Sequence, residues 1–162
     1  MTKNILITGS TDGIGKLAAL NLAKAGHHVY LHGRDADKLD SVIVEVKAVA
    51  TGTAVDYIDG FVADFSDLNA VRDMAAEVNK KLSKLDVLIN NAGGGPPADA
   101  ATASPRFTES IIRLNLLAPL LMSQLTYEAL RASRGSIINI ASVSAIRSSP
   151  GTMAYGAAKR AF

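Results

Sequence analysis

The sequence predicts an α/β domain built on a parallel, doubly wound sheet. Three observations lead there. Short apolar runs alternate with longer segments of helical periodicity, the pattern of repeated strand–helix–strand units. A glycine-rich turn joins the first apolar run to the first helical segment. The length, 162 residues, suits one domain spanning 1–162 and leaves little room for a second.

Taken in order, Asn4–Thr8 is expected as the first strand and Ile14–Ala25 as the first helix, stopped by Gly26. His28–His32 is the second strand, and a second helix runs from Asp37 to about Ala50. Thr53–Ala63 contains the third strand, Leu68–Leu82 the third helix, and Asp86–Asn90 the fourth strand. A loop rich in Gly, Pro and Ala covers Gly93–Pro105, and Phe107–Arg131 reads as one long helix. Ser136–Ala141 is the fifth strand, with a last helix beginning near Thr152. Right-handed crossovers then set the strand order as 3-2-1-4-5. The long helix is apolar on more than one face, with Ile111, Leu117, Leu120, Leu121 and Leu125 among its residues. One stripe suffices to cover a sheet. The surplus means either a second contact surface or a deeply buried helix.

Apolar residues make up 48% of the chain and charged residues 20%, an ordinary globular balance. The formal charge of +2 is small and its basic residues are scattered, which argues against a nucleic-acid partner. There are no cysteines, so disulfide, thiolate and thiolate-metal chemistry are excluded. No apolar run is long enough for a membrane span, and the expected location is a reducing cytoplasm.

Thr8-Gly9-Ser10-Thr11-Asp12-Gly13-Ile14-Gly15 lies between the first strand and the first helix. Glycines there let the backbone approach a pyrophosphate, and the helix N-terminus offers free N–H groups. At the end of the second strand, an NAD site usually places a carboxylate against the ribose 2′-hydroxyl. Here the run is Leu31-His32-Gly33-Arg34, with no acid at the tip. Arg34 suits a 2′-phosphate, so NADP is expected over NAD, with Asp12 and Asp35 as opposing charges.

Tyr155-Gly156-Ala157-Ala158-Lys159 sets a phenol and an ammonium four residues apart, on one face of a helix. A tyrosine of ordinary pKa ~10 exchanges protons poorly near neutrality. A cation close by favours the phenolate and lowers that value by ~1–3 units. Such a phenol can protonate a carbonyl oxygen as hydride reaches its carbon. Ser142, at the end of the fifth strand, could hydrogen-bond the same carbonyl, with Ser144 as a competitor. Asn115 is a polar residue in the most apolar helix: a satisfied core amide, or an anchor for a proton-relay water. No metal site is expected.

Together these residues resemble the short-chain dehydrogenase/reductase family, in the branch with TGxxxGxG and YxxxK motifs. The ordered set is Thr8–Gly15, Asp64, Asn90-Asn91-Ala92-Gly93, Asn115, Ser142, Tyr155 and Lys159. The resemblance favours Ser142 over Ser144 and implies a Rossmann-like fold. It implies Tyr155 as general acid or base, Lys159 as its tuner and a partner of the nicotinamide ribose, Ser142 as carbonyl partner and Asn115 as water holder. The loop from Gly9 through Ser10, Thr11, Asp12, Gly13 and Ile14 to Gly15 would hold the dinucleotide. Asp64 and Phe65 would meet its adenine end, and Asn91, Ala92 and Gly93 would line it beside the fourth strand. His27, His28 and His32 are expected to be structural or surface residues.

Family members continue through two further strands and a substrate-covering segment, so the chain is expected to be incomplete at its C-terminus. The expected function is hydride transfer between NAD(P)H and a small carbonyl or alcohol, in a homo-oligomer at full length. The competing expectation is a truncated, inactive nucleotide-binding or oligomer-forming remnant. A sugar-nucleotide epimerase, which also uses YxxxK, is disfavoured by the glycine spacing.

Overall fold

In the computed structural model, five parallel strands form one sheet in the order β3-β2-β1-β4-β5. The structure describes every residue except Ser148 and Phe162. The chain runs β1 (Asn4–Ile7), α1 (Gly13–Lys24), β2 (His28–Gly33), α2 (Ala36–Val49), β3 (Asp59–Val62), α3 (Leu68–Lys81) and β4 (Val87–Asn90). It continues through α4 (Pro105–Ile112), α5 (Ala118–Leu125), α6 (Tyr127–Ser133), β5 (Ser136–Asn139) and α7 (Met153–Arg160).

Both faces of the central strands are buried, which is why their sequences are continuously apolar. Ile5, Ile7, Val29 and Leu31 pack with Ala19 and Val42 under α1 and α2. Leu6, Tyr30 and Leu88 point to the opposite face, against Val71 of α3 and Met122 of α5. The period of two along each strand thus feeds two separate cores. Helix starts are set by side chains that accept from the first free N–H groups: Asp12, Asp35, Asp67 and Ser104.

The single helix expected over Phe107–Arg131 is broken into three. Residues Arg113–Leu117 form a wider π turn in which the Ala118 N–H donates to the Arg113 carbonyl. Pro119 cannot donate to the carbonyl of Asn115, so the α-helical ladder cannot run through this point. A second break falls at Thr126, whose hydroxyl donates to the Met122 carbonyl at 2.7 Å. Asn79 of α3 donates to the Leu125 carbonyl at 2.8 Å and caps the end of α5. Periodicity alone passes over both breaks, because the apolar residues on either side keep their spacing. The segment expected to contain the third strand opens with a 3-10 turn, Gly52–Tyr57, and only Asp59–Val62 pairs with β2.

The surplus apolar residues are not deeply buried. Leu117, Leu120 and Leu125 are each more than a third exposed, as are Ile137 and Ile138 of the edge strand β5. Among the described residues, no helix is long and apolar enough to cross a membrane.

Candidate active site

The predicted site residues gather at the carboxyl end of the sheet, where parallel α/β folds leave a crevice between strand tips. At the tip of β1, the Thr8 hydroxyl accepts from the N–H groups of Asn91 and Ala92, each at 3.0 Å. The Asn91 amide returns the contact, donating to the carbonyls of Thr8 (3.0 Å) and Gly9 (2.8 Å). The loops after β1 and β4 are therefore stitched together. The stitching leaves no space: a Cβ on Gly9 would lie 2.7 Å from the Ala92 Cα, and one on Gly15 would lie 2.4 Å from the Gly9 carbonyl oxygen. Gly13 differs, for its φ of +52° faces open space at the start of α1. Ile14, beside it, is exposed.

Ser10 is fully buried and its hydroxyl accepts from the His32 N–H at 2.9 Å. Thr11 packs so closely on Gly33 that a Cβ there would meet its methyl at 2.5 Å. Asp12 caps α1 and pairs with Lys38 at 2.8 Å; that contact, then the Gly13 N–H, holds its carboxyl below the usual range. Arg34 is exposed just past the tip of β2. Asp64 accepts from the Ser66 N–H and hydroxyl, which with the charge of Arg34 lower its pKa. Phe65 is buried, its ring packed on His32 with centroids 4.1 Å apart, so its side chain is not open to a ligand.

At the other end, Asn115 is fully buried in the π turn. Its side chain clasps Gly94 at two points, accepting from the N–H and donating to the carbonyl, both at 2.8 Å. It also donates to the Ile111 carbonyl at 2.9 Å. Lys159 is only 4% exposed, its ammonium donates to the Ile140 carbonyl at 3.0 Å, and burial lowers its pKa. Tyr155 stands one turn earlier on α7 and lines a shallow cleft with Pro96, Phe107, Ile111 and Met153. Ser142 follows β5, and its hydroxyl accepts from the Ser144 N–H at 3.2 Å. Ser144 packs its own carbonyl towards Gly156, where a Cβ would lie 2.9 Å away.

One residue joins the two ends. A Cβ on Gly93 would lie 2.7 Å from the Asn115 Oδ1 and 3.1 Å from the Lys159 Nζ. Gly93 therefore brings Asn115 and Lys159 together two residues beyond Asn91, which holds the glycine loop. The model of the short chain dehydrogenase family matches residues 3–162. The chain belongs to the short-chain dehydrogenase family.

Among relatives in this family, the gluconate 5-dehydrogenase of Gluconobacter oxydans is 33% identical over 96% of this chain and 59% of its own. The 3-oxoacyl-[acyl-carrier-protein] reductase of Staphylococcus aureus is 32% identical over 98% of this chain and 63% of its own. A solved short-chain dehydrogenase from Streptomyces avermitilis superposes with a TM-score of 0.86 at 26% identity, over 99% of this chain and 56% of that one. The chain thus spans about three fifths of the relatives it matches.

Sequence reasoning named Thr8 within the glycine motif and His32 as a structural or surface residue, but missed what each holds in this candidate site. Thr8 is the staple between the β1 and β4 loops, and its signal was a hydroxyl at a strand tip just before the first glycine. His32 is buried and structural, as expected, but it sits inside the nucleotide half of the site. Its Nδ1 accepts from the Gly9 N–H at 2.9 Å, and its Nε2 lies 3.0 Å from the Ala63 carbonyl.

Burial pushes the His32 pKa down to about 4, with Asp64 the opposing charge. Between pH 6.5 and 4 the unfolded chain takes up a proton that the folded chain refuses, so stability is complete above pH 6.5 and declines below it. The loss by pH 4 is ~3 kcal/mol at ~1.4 kcal/mol per unit. Burial lowers His28 in the same sense, whereas the lowered carboxyls of Asp12, Asp59 and Asp64 cost stability only below about 3.8. Urea melts at pH 7 and 4.5 should show the decline, and His32→Asn should reduce it to the share left by His28.

Proposed function

We propose that this chain carries the dinucleotide-binding and proton-transfer residues of an NADP-preferring oxidoreductase acting on a small carbonyl or alcohol. The observation that carries the proposal is Gly93, which joins the glycine loop to the Asn115–Lys159 pair in one continuous seam.

The residues present fit the dinucleotide. The open space over Gly13 leaves room for a pyrophosphate at the N-terminus of α1, although the Gly13 N–H itself is held by Asp12. Gly9 through Gly15 hold that part, Asp64 and the Phe65 backbone the adenine end, Asn91 to Gly93 the middle, and Tyr155 with Lys159 the nicotinamide ribose. When bound, the reduced nicotinamide supplies a hydride.

Tyr155 donates its phenolic proton to the carbonyl oxygen, so the C=O bond becomes a CH–OH group and the tyrosine is left as phenolate. The Lys159 ammonium, held by the Ile140 carbonyl, stabilises that charge. Ser142 orients the carbonyl. The Asn115 carbonyl lacks its α-helical donor because Pro119 has no N–H, which supports a water there as the route for returning a proton. In oxidation the same groups run in reverse.

NADP preference is supported by the strand tip. A side chain on Gly33 would collide with Thr11, so the carboxylate typical of NAD sites has no room there. Asp12 and Asp35, which argued the other way, are engaged by Lys38 and by the start of α2. Arg34→Asp should cut the ratio of NADPH to NADH affinity at least tenfold, given ~1.5–3 kcal/mol for a charged hydrogen bond. An unchanged ratio contradicts the cofactor assignment.

Association with a second copy is supported by the exposed Leu117, Leu120 and Leu125 and the open β5 edge. A cytoplasmic site of action is supported by the absence of cysteine. NADPH titration by fluorescence followed by carbonyl turnover tests the main proposal. Binding without turnover favours the reading as an inactive nucleotide-binding remnant.

A further inference from the structure

A buried histidine in the nucleotide half of the site has no part in the chemistry above. His32 is 3% exposed and is the last residue of β2 before Gly33. Its surroundings admit one protonation state. The Gly9 N–H can only donate, so the Nδ1 that it meets at 2.9 Å must accept. The Ala63 carbonyl can only accept, so the Nε2 at 3.0 Å must carry the proton. A neutral ring protonated at Nε2 satisfies both, and neither the other tautomer nor the cation does.

The main chain of His32 adds three more contacts to the same loop. Its carbonyl accepts from the Ser10 N–H at 2.9 Å and from the Ser10 hydroxyl at 3.4 Å, and its N–H donates to the Ser10 hydroxyl at 2.9 Å. The ring itself is clamped by Phe65, centroids 4.1 Å apart. The imidazole therefore spans from the first residue of the glycine loop to the last residue before Asp64.

We propose that His32 is a positioning residue for the dinucleotide: through its ring it sets the glycine loop and the Ala63–Asp64 turn at a fixed separation. The inference rests on the reading of this loop as the dinucleotide site. A bound dinucleotide would touch both loops and not His32. The Gly9 end carries the larger share, because Gly9 has a φ of +63° and lies against the Ala92 backbone, so its N–H has no second place to turn.

Two substitutions separate the ends of the ring. In His32→Asn the amide oxygen stands close to the position of Nδ1, so the Gly9 N–H keeps an acceptor while the Ala63 contact is lost. In His32→Gln the amide nitrogen stands close to Nε2, so Ala63 keeps a donor while the Gly9 N–H is left buried and unpaired. The measurement is the NADPH Kd of each variant by fluorescence titration, with its Tm alongside. Each variant strands one buried partner and so loses stability, but only His32→Gln frees the Gly9 end of the loop, so its expected Kd is at least five times that of His32→Asn at a temperature where both are folded. A ratio below five overturns the positioning role, because a purely structural histidine would lower the two Tm values without separating the affinities.

Should either variant fail to fold, the 15N shifts of the wild-type ring decide instead. A neutral His32 protonated at Nε2, whose Nδ1 and Gly9 amide shifts move as NADPH is added, upholds the proposal; protonation at Nδ1, or ring shifts that NADPH leaves unchanged, overturns it. A wild-type chain that binds no NADPH removes the dinucleotide reading, and the positioning role with it.

Discussion

Gly9→Ala should lower the unfolding free energy by about 4 kcal/mol and abolish NADPH binding. Two costs add at this position. The φ of +63° belongs to the left-handed region, where a side chain costs ~1–2 kcal/mol. The added methyl would also sit 2.7 Å from the Ala92 Cα, and forcing backbone apart in a packed site costs ~1–3 kcal/mol. The neighbouring glycines separate the two terms. Gly13→Ala meets the same backbone penalty with nothing within 4 Å, so only the first cost applies. Gly15→Ala has an ordinary φ but meets the Gly9 carbonyl oxygen at 2.4 Å, so only the second applies. Urea denaturation of the three variants should rank Gly9 as the most damaging. A Gly9 variant no worse than the Gly13 one would show that the β1 and β4 loops are not stitched as described. Against a typical total of ~5–15 kcal/mol, the Gly9 loss is a large fraction.

Tyr155→Phe should lower kcat/KM for carbonyl reduction by about a thousandfold, or ~4 kcal/mol, while leaving the fold intact. The phenol is partly exposed on the cleft wall, so removing its oxygen empties no core and strands no buried partner. NADPH affinity should fall by no more than about fivefold, the loss of one ordinary hydrogen bond of ~1 kcal/mol. Lys159→Met makes the contrast. Lys159 is buried and donates to the Ile140 carbonyl, so its loss should reduce both turnover and Tm. A phenylalanine variant that retains turnover would move the proton-transfer role away from Tyr155.

The sheet was legible because each central strand is buried on both faces and so stands out as an apolar run. Its order followed from the handedness of the crossovers. Several helix starts were nearly as plain from where the apolar spacing begins, whereas the caps Asp12, Asp35, Asp67 and Ser104 show only in the structure. The three-part helix was not legible. Its breaks depend on what Pro119 cannot donate and on Asn79 reaching across from α3, and neither disturbs the apolar spacing. Ser142, Tyr155 and Lys159 were legible as residue types at characteristic spacings. The roles of Thr8 and His32 were not, because each is defined by a backbone group far away in sequence: Asn91 and Ala92 for one, Gly9 and Ala63 for the other. A histidine in an apolar strand signals burial, but its partners appear only once β1, β2 and β3 lie side by side. Asn115 was legible as an oddity, and the two-point clasp on Gly94 shows how its buried amide is satisfied.

The claim on which the rest depends is that the glycine loop and the Tyr155–Lys159 face act as one site for hydride transfer. The most direct measurement supplies NADPH carrying deuterium at both C4 positions with a panel of ketones and follows the label by mass spectrometry. One deuterium is expected at the carbinol carbon of the product with the wild-type chain, and none above background with Tyr155→Phe. Firm NADPH binding by the wild-type chain with no label transferred to any ketone would contradict it.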